Sequence, residues 1–140
     1  MAMKVVVIDG MGGGIGAQLI GKIRETLDPG IEVIALGTNA AATERMMKAG
    51  AQKGATGENA IKVSVSLGDF VLGPVGIVIG NSMLGEITPD TAAAVLAAPG
   101  VHILLPLQQE HFHLVGLEPL PLAKIVERAV GLLGELMEKR

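Results

Sequence analysis

The residues with the clearest chemical meaning are Asp9-Gly-Met-Gly-Gly-Gly-Ile-Gly16, which follow a valine-rich run and open a helical pattern. A glycine cluster between strand and helix permits a tight turn. It also leaves backbone N–H groups uncovered, so that a phosphate can reach the helix N-terminus. Two spacings fit: Gly12-x-Gly14-x-x-Ala17 matches the alanine-ended dinucleotide fingerprint, and Gly10-x-x-x-Gly14-x-Gly16 matches a second template for such a loop. The competing explanation is packing, with glycines that only let the first helix sit close to its sheet. Asp9 repels a phosphate unless its carboxylate is turned onto backbone amides or a divalent cation intervenes, and hydrogen bonding to the loop is the role assigned to it here.

The elements that must position this loop are read from periodicity. Strands are predicted at Lys4–Ile8, Ile31–Leu36, Lys53–Thr56, Asp69–Leu72 and Val101–Leu105. Helices are predicted out of the Gly10–Gly16 loop with Ile15, Leu19, Ile20, Ile23 and Leu27 on one side, after the Thr38/Asn39 cap, over Glu58–Leu67, from the Thr88-Pro89-Asp90 start, and over Pro121–Lys139. Val75–Ile79 is read as helix because Pro74 suits a first helical turn, against the strand preference of its β-branched residues. His111–Leu117 reads as a sixth strand, too close to the fifth for a crossover and therefore antiparallel. Alternating strands and helices predict an α/β fold: a Rossmann-like three-layer α/β/α sandwich over residues 1–140, one domain, with a mostly parallel sheet and an antiparallel edge strand.

In such a sheet, ligands bind outside the carboxyl ends of the strands, near the point where strand order reverses. The candidate ligand contacts are therefore Asp9, Gly10, Met11, Gly12, Gly13, Gly14, Ile15 and Gly16, with Thr38, Asn39, Thr56, Glu58, Asn59, Gly73 and Asn81 from the other strand ends and polar loops. Ser82 and Glu86 share the loop that holds Asn81. Helix capping is the competing role for Thr56, Asn59, Ser82 and Thr88. Glu58 and Glu86 are candidate general bases. Gly37, Thr38 and Asn39 stand where NAD-binding sheets carry an acid for the ribose hydroxyls. That exchange favours NADP or another nucleotide, with Arg45 or Lys48 available to a 2′-phosphate. His102, Glu110, His111 and His113 are read as polar residues around an edge strand, since an ordered third ligand is missing, and no metal site is assigned.

Composition narrows the field. With 140 residues and 49% hydrophobic content, the chain can bury a core without staples. It has no cysteine, which excludes thiol nucleophiles, zinc ribbons and disulfides together. There is no tyrosine or tryptophan, which excludes a tyrosyl acid and most stacking platforms for bases. Eleven basic against 14 acidic residues, with no basic stripe, argue against nucleic acid as a partner. The long uncharged stretch Thr91–Gln109 is broken by Pro99-Gly100, so no membrane span is expected, and without a signal-peptide pattern a cytoplasmic location is. Charged residues make up 18%, below the usual ~25%, which leaves apolar surface for a homodimer or higher homo-oligomer.

Beyond the first loop, the blocks Ala35-Leu-Gly-Thr-Asn-Ala40, Gly54-Ala-Thr-Gly-Glu-Asn-Ala-Ile61, Gly73-Pro74 and Asn81-Ser-Met-Leu-Gly-Glu-Ile-Thr-Pro89 complete a pattern that spans nearly the whole chain. It resembles an uncharacterised bacterial family of short, single-domain Rossmann-like proteins, a domain of unknown function. The resemblance implies the fold and supplies no activity. The first loop is also distantly similar to the Thr-Gly-x-x-x-Gly-Ile-Gly loop of short-chain dehydrogenases, with Asp9 in place of the threonine.

Three functions are compatible with these residues. The first is a binding module for a nucleotide or other phosphorylated metabolite on Gly10–Gly16. The second is a small NADP-dependent oxidoreductase whose site a neighbouring subunit completes. The third is a homo-oligomeric interaction protein with no small ligand.

Overall fold

The computed structural model describes residues 2–107 and 112–140. Five strands, β1 (Lys4–Asp9), β2 (Glu32–Gly37), β3 (Lys53–Thr56), β4 (Phe70–Pro74) and β5 (Val101–Leu105), form one parallel sheet in the order β3-β2-β1-β4-β5. Helices α1 (Gly14–Thr26), α2 (Ala40–Lys48), α3 (Glu58–Ser64), α4 (Pro89–Ala97) and α5 (Leu122–Glu138) connect or close it.

The run Val5-Val6-Val7-Ile8 is completely inaccessible because the sheet is covered on both faces. Alternation along the strand divides the core. Val5 and Val7 join Leu19, Ile20 and Ile23 of α1, Met46 of α2 and Val126, Val130 and Leu133 of α5. Val6 and Ile8 join Ile61 and Val65 behind β3, then Ile77, Ile87 and Val95 behind β4. The three-layer sandwich follows from that split.

The chain winds outward from β1 through β2 to β3, then returns to the other side of β1 for β4 and β5. Strand order therefore reverses between β1 and β4, and the crevice at their carboxyl ends is where such sheets accept ligands. β1 delivers Asp9 and the glycine loop to that crevice, and β4 delivers Pro74.

Two expectations need correction. Glu58–Leu67 is not one helix: α3 stops at Ser64 and a 3-10 turn covers Val65–Leu67. The antiparallel edge strand expected at His111–Leu117 is not found among the described residues. Phe112 makes an isolated bridge, residues 113–117 form no strand, and His111 lies outside the described residues. Gly116 adopts φ 92, a left-handed conformation that breaks extended pairing. Phe112, Leu114, Leu117 and Leu120 instead line a groove beside β5 and α5. Val75–Val78 forms a 3-10 turn, helical in sense as expected and shorter than an α-helix.

Phe70 is fully buried in the core that α1 and α5 cover. Phe70→Ala is expected to cost about 3–5 kcal/mol. Urea unfolding followed by circular dichroism measures it, and a loss below about 1 kcal/mol would contradict this packing.

Candidate functional site

Asp9 is the last residue of β1 and only 3% exposed. Its Oδ1 accepts the Gly10 N–H at 2.8 Å and its Oδ2 accepts the Gly16 N–H at 2.7 Å. One carboxylate thus ties the start of the loop to the first turn of α1, and its charge lies at the positive end of the helix. The neighbouring strand joins this corner, because the Thr38 N–H donates to Asp9 O at 3.1 Å. Burial pushes the Asp9 carboxyl up. The N–H donors pull it back and nearby Glu86 pushes it further, and the result lies above the ordinary carboxylate value.

The loop glycines fall into two groups. A Cβ at Gly10 would lie 2.6 Å from Thr38 Oγ1 and 2.8 Å from Glu86 Oε1. Gly13 has φ +74, and a Cβ there would meet the Ala42 backbone at 2.8 Å. At Gly16 it would run into Met46 Sδ. Packing accounts for these three, and for Gly73, where a Cβ would strike Ile8 O across the β1–β4 pair.

Gly12 and Gly14 are different. A Cβ at Gly12 would meet only the Arg45 guanidinium, at 3.9 Å, and one at Gly14 only the same group, from 3.4 Å. Among the described residues, no acceptor takes the Gly12 or Gly14 N–H. Arg45 reaches over from α2, its Nη1 3.5 Å from Gly12 O, and has no acidic partner among the described residues. Lys48, the other cation of that helix, is paired with Glu44 at 3.1 Å. The glycine loop, Gln18, Pro74, Met83 and Leu122 border a cavity of about 350 Å³ at the strand-order reversal.

Glu86 is the residue whose placement sequence spacing could not give. It arrives from the loop between β4 and α4, where Ile87, fully buried behind the sheet, anchors it. Its Oε1 accepts the Met11 N–H at 2.8 Å, the Thr38 hydroxyl, and Asn39 Nδ2 at 3.1 Å. Partial burial raises the carboxyl, but the hydrogen bonds from Thr38, Met11 and Asn39 outweigh it and hold Glu86 below its ordinary value. It is therefore a stable anion, the opposite of a base tuned toward neutrality. Asn39 knits the same corner: its Oδ1 caps α2 at the Ala42 N–H, 2.8 Å, while Nδ2 also donates to Met11 O at 2.9 Å.

The other candidates have partners elsewhere. Thr56 Oγ1 lies 2.7 Å from Thr43 Oγ1, joining β3 to α2. Glu58 accepts the Thr88 hydroxyl and so links α3 to the cap of α4. Asn59 is exposed on α3, and Asn81 is exposed in a left-handed conformation, φ 69. None of these four lines the cavity. His102 Nε2 sits 2.6 Å from Val95 O, and His113 is exposed.

The two carboxylates give opposite pH signatures. Asp9 has a raised folded-state value, so its contribution to stability is full below the unfolded value of about 3.9 and is lost as pH rises through the raised one. Glu86 has a lowered value, so its contribution is present above about 4.3 and is lost as pH falls. Urea unfolding from pH 3 to 8 should show the deficit of Asp9→Asn shrinking with rising pH and that of Glu86→Gln growing. Parallel curves for the two variants would contradict these assignments.

No curated protein matches the chain. The model of the family described as Domain of unknown function (DUF3842) matches residues 4–138, almost the full length, and the chain belongs to that family.

Proposed function

We propose that this protein is a binding domain that holds the phosphate of a nucleotide or other phosphorylated metabolite against Gly12, Gly14 and Arg45. The carrying observation is the division among the glycines. Packing explains Gly10, Gly13 and Gly16, whereas Gly12 and Gly14 are bare only toward a cation and the cavity. An anion there gains unsatisfied N–H donors, the positive end of α1 and a guanidinium, a charge-assisted combination suited to phosphate. Asp9 does not oppose it, because both its oxygens are turned onto N–H groups.

Arg45 lies over the loop and not at the end of β2, so its position suits a phosphate on the loop better than a 2′-phosphate. Glu86, held as an anion by three donors, is a fixed acceptor and not a base tuned toward neutrality, which favours binding over an oxidoreductase that would use it.

Calorimetric titration with ADP and with pyrophosphate tests the reading. Gly14→Val is expected to weaken binding at least ~10-fold, the loss of about 1.4 kcal/mol, and Arg45→Ala to weaken it ~3–10-fold. Both variants should keep a near wild-type melting curve, because a Cβ at Gly14 meets only the end of the flexible Arg45 side chain. Unchanged affinity in Gly14→Val would overturn the reading. With no tryptophan or tyrosine, the chain is nearly transparent at 280 nm, so a copurifying nucleotide would dominate the near-ultraviolet spectrum.

A homodimer is the second proposal, favoured by Leu114, Val115, Leu117 and Leu132, all exposed around the β5–α5 side. Sedimentation should give twice the 14.3 kDa chain mass. A monomer at ~100 μM, well above micromolar dissociation constants, would reject it.

A further inference from the structure

We infer that Glu86 selects the sugar of a nucleotide held on the loop, accepting an unmodified ribose diol and turning away a ribose that carries a 2′-phosphate. The inference rests on the phosphate-loop reading above and extends it to the ligand's sugar.

In a sheet of this winding, a nucleotide whose phosphate lies over the β1 loop extends its ribose toward the end of β2, where a carboxylate accepts the ribose hydroxyls. β2 here ends in Gly37-Thr38-Asn39, with no acid. Folding supplies one from outside the motif. Glu86 is brought to the end of β2 and fixed there by Thr38, by Asn39 Nδ2 at 3.1 Å and by the Met11 N–H at 2.8 Å.

All three donors address Oε1. Oε2 accepts no hydrogen bond from the described residues, yet it is not among their buried unsatisfied atoms, so it remains an acceptor open to solvent. A fixed carboxylate with one oxygen engaged and one open can accept a hydroxyl and repels a phosphate dianion. The approach depends on Gly10, where any Cβ would stand 2.8 Å from Oε1.

The geometry also separates the charges by task. Arg45 lies over Gly12 and Gly14, on the phosphate side, and Glu86 lies on Thr38 and Asn39, on the β2 side. A 2′-phosphate at the end of β2 would meet the anion and not the cation. The loop that carries Glu86 is tightly shaped: Asn81, Met83, Leu84 and Gly85 have φ 69, 57, 55 and 91, and the Glu86 N–H donates to Met83 O at 3.1 Å.

The test is calorimetric titration of the full chain with NAD, NADP and pyrophosphate, for the wild type, Glu86→Gln, Glu86→Asp and Gly14→Val. The wild type should bind NAD at least ~10-fold tighter than NADP. Glu86→Gln should shrink that ratio at least ~5-fold. Glu86→Asp, which keeps the charge, should retain a preference for NAD. Equal affinity of the wild type for NAD and NADP overturns the inference and needs no variant to fold. So does an unchanged ratio in folded Glu86→Gln. If pyrophosphate binds and Gly14→Val loses it while the dinucleotides are not discriminated, Glu86 fails alone and the loop reading stands. If none of the three ligands binds, the loop reading falls and this inference falls with it.

Discussion

The buried carboxylate of Asp9 is the interaction on which the rest of the site depends. It holds the N–H groups of Gly10 and Gly16 at 2.8 and 2.7 Å, and so determines how the chain turns from β1 into α1. Burial makes an ionised carboxyl costly, and the N–H donors offset only part of that cost, so the carboxyl stays above its ordinary value. Its two oxygens are engaged by Gly10 and Gly16, and among the described residues the N–H groups of Gly12 and Gly14 have no acceptor. A residue that looks hostile to phosphate therefore serves to build the surface that a phosphate would meet.

The remaining parts of the crevice are arranged around that turn. Gly16 is bare because Met46 packs against α1, and Gly13 is bare because α2 passes beside it. That close approach of α2 places Arg45 over the loop and lets Asn39, at the start of the same helix, join Met11 to Glu86. On the proposed reading, packing and binding are not competing explanations for the whole motif. They apply to different glycines, and the close packing at three of them brings the cation to the other two.

Much of the fold was legible in the sequence because its signals are local. The continuous valine run of β1 reads as a strand buried on both faces, and Thr88-Pro89-Asp90 carries the cap, proline and acid of a helix start. Glycine spacing located the loop for the same reason. What the sequence concealed depends on distance along the chain. Glu86 lies 48 residues from Thr38, and nothing near it signals that its carboxylate reaches the end of β2. Thr56 and Glu58 follow β3 and have the composition of ligand contacts, yet their hydroxyl and carboxylate are taken by Thr43 and Thr88. The stretch His111–Leu117 reads as a strand, although Phe112 and Leu114 line a groove beside β5 and α5.

The central claim is that Gly12 and Gly14 present free N–H groups to an anion while Asp9 retains those of Gly10 and Gly16. The most direct measurement is the backbone amide spectrum of ¹⁵N-labelled protein as pyrophosphate is added. The account predicts saturable movement of the Gly12 and Gly14 resonances, with smaller shifts at Gly10 and Gly16, whose N–H groups already have an acceptor. Stationary Gly12 and Gly14 resonances, or shifts confined to residues away from the β1–α1 turn, would contradict it.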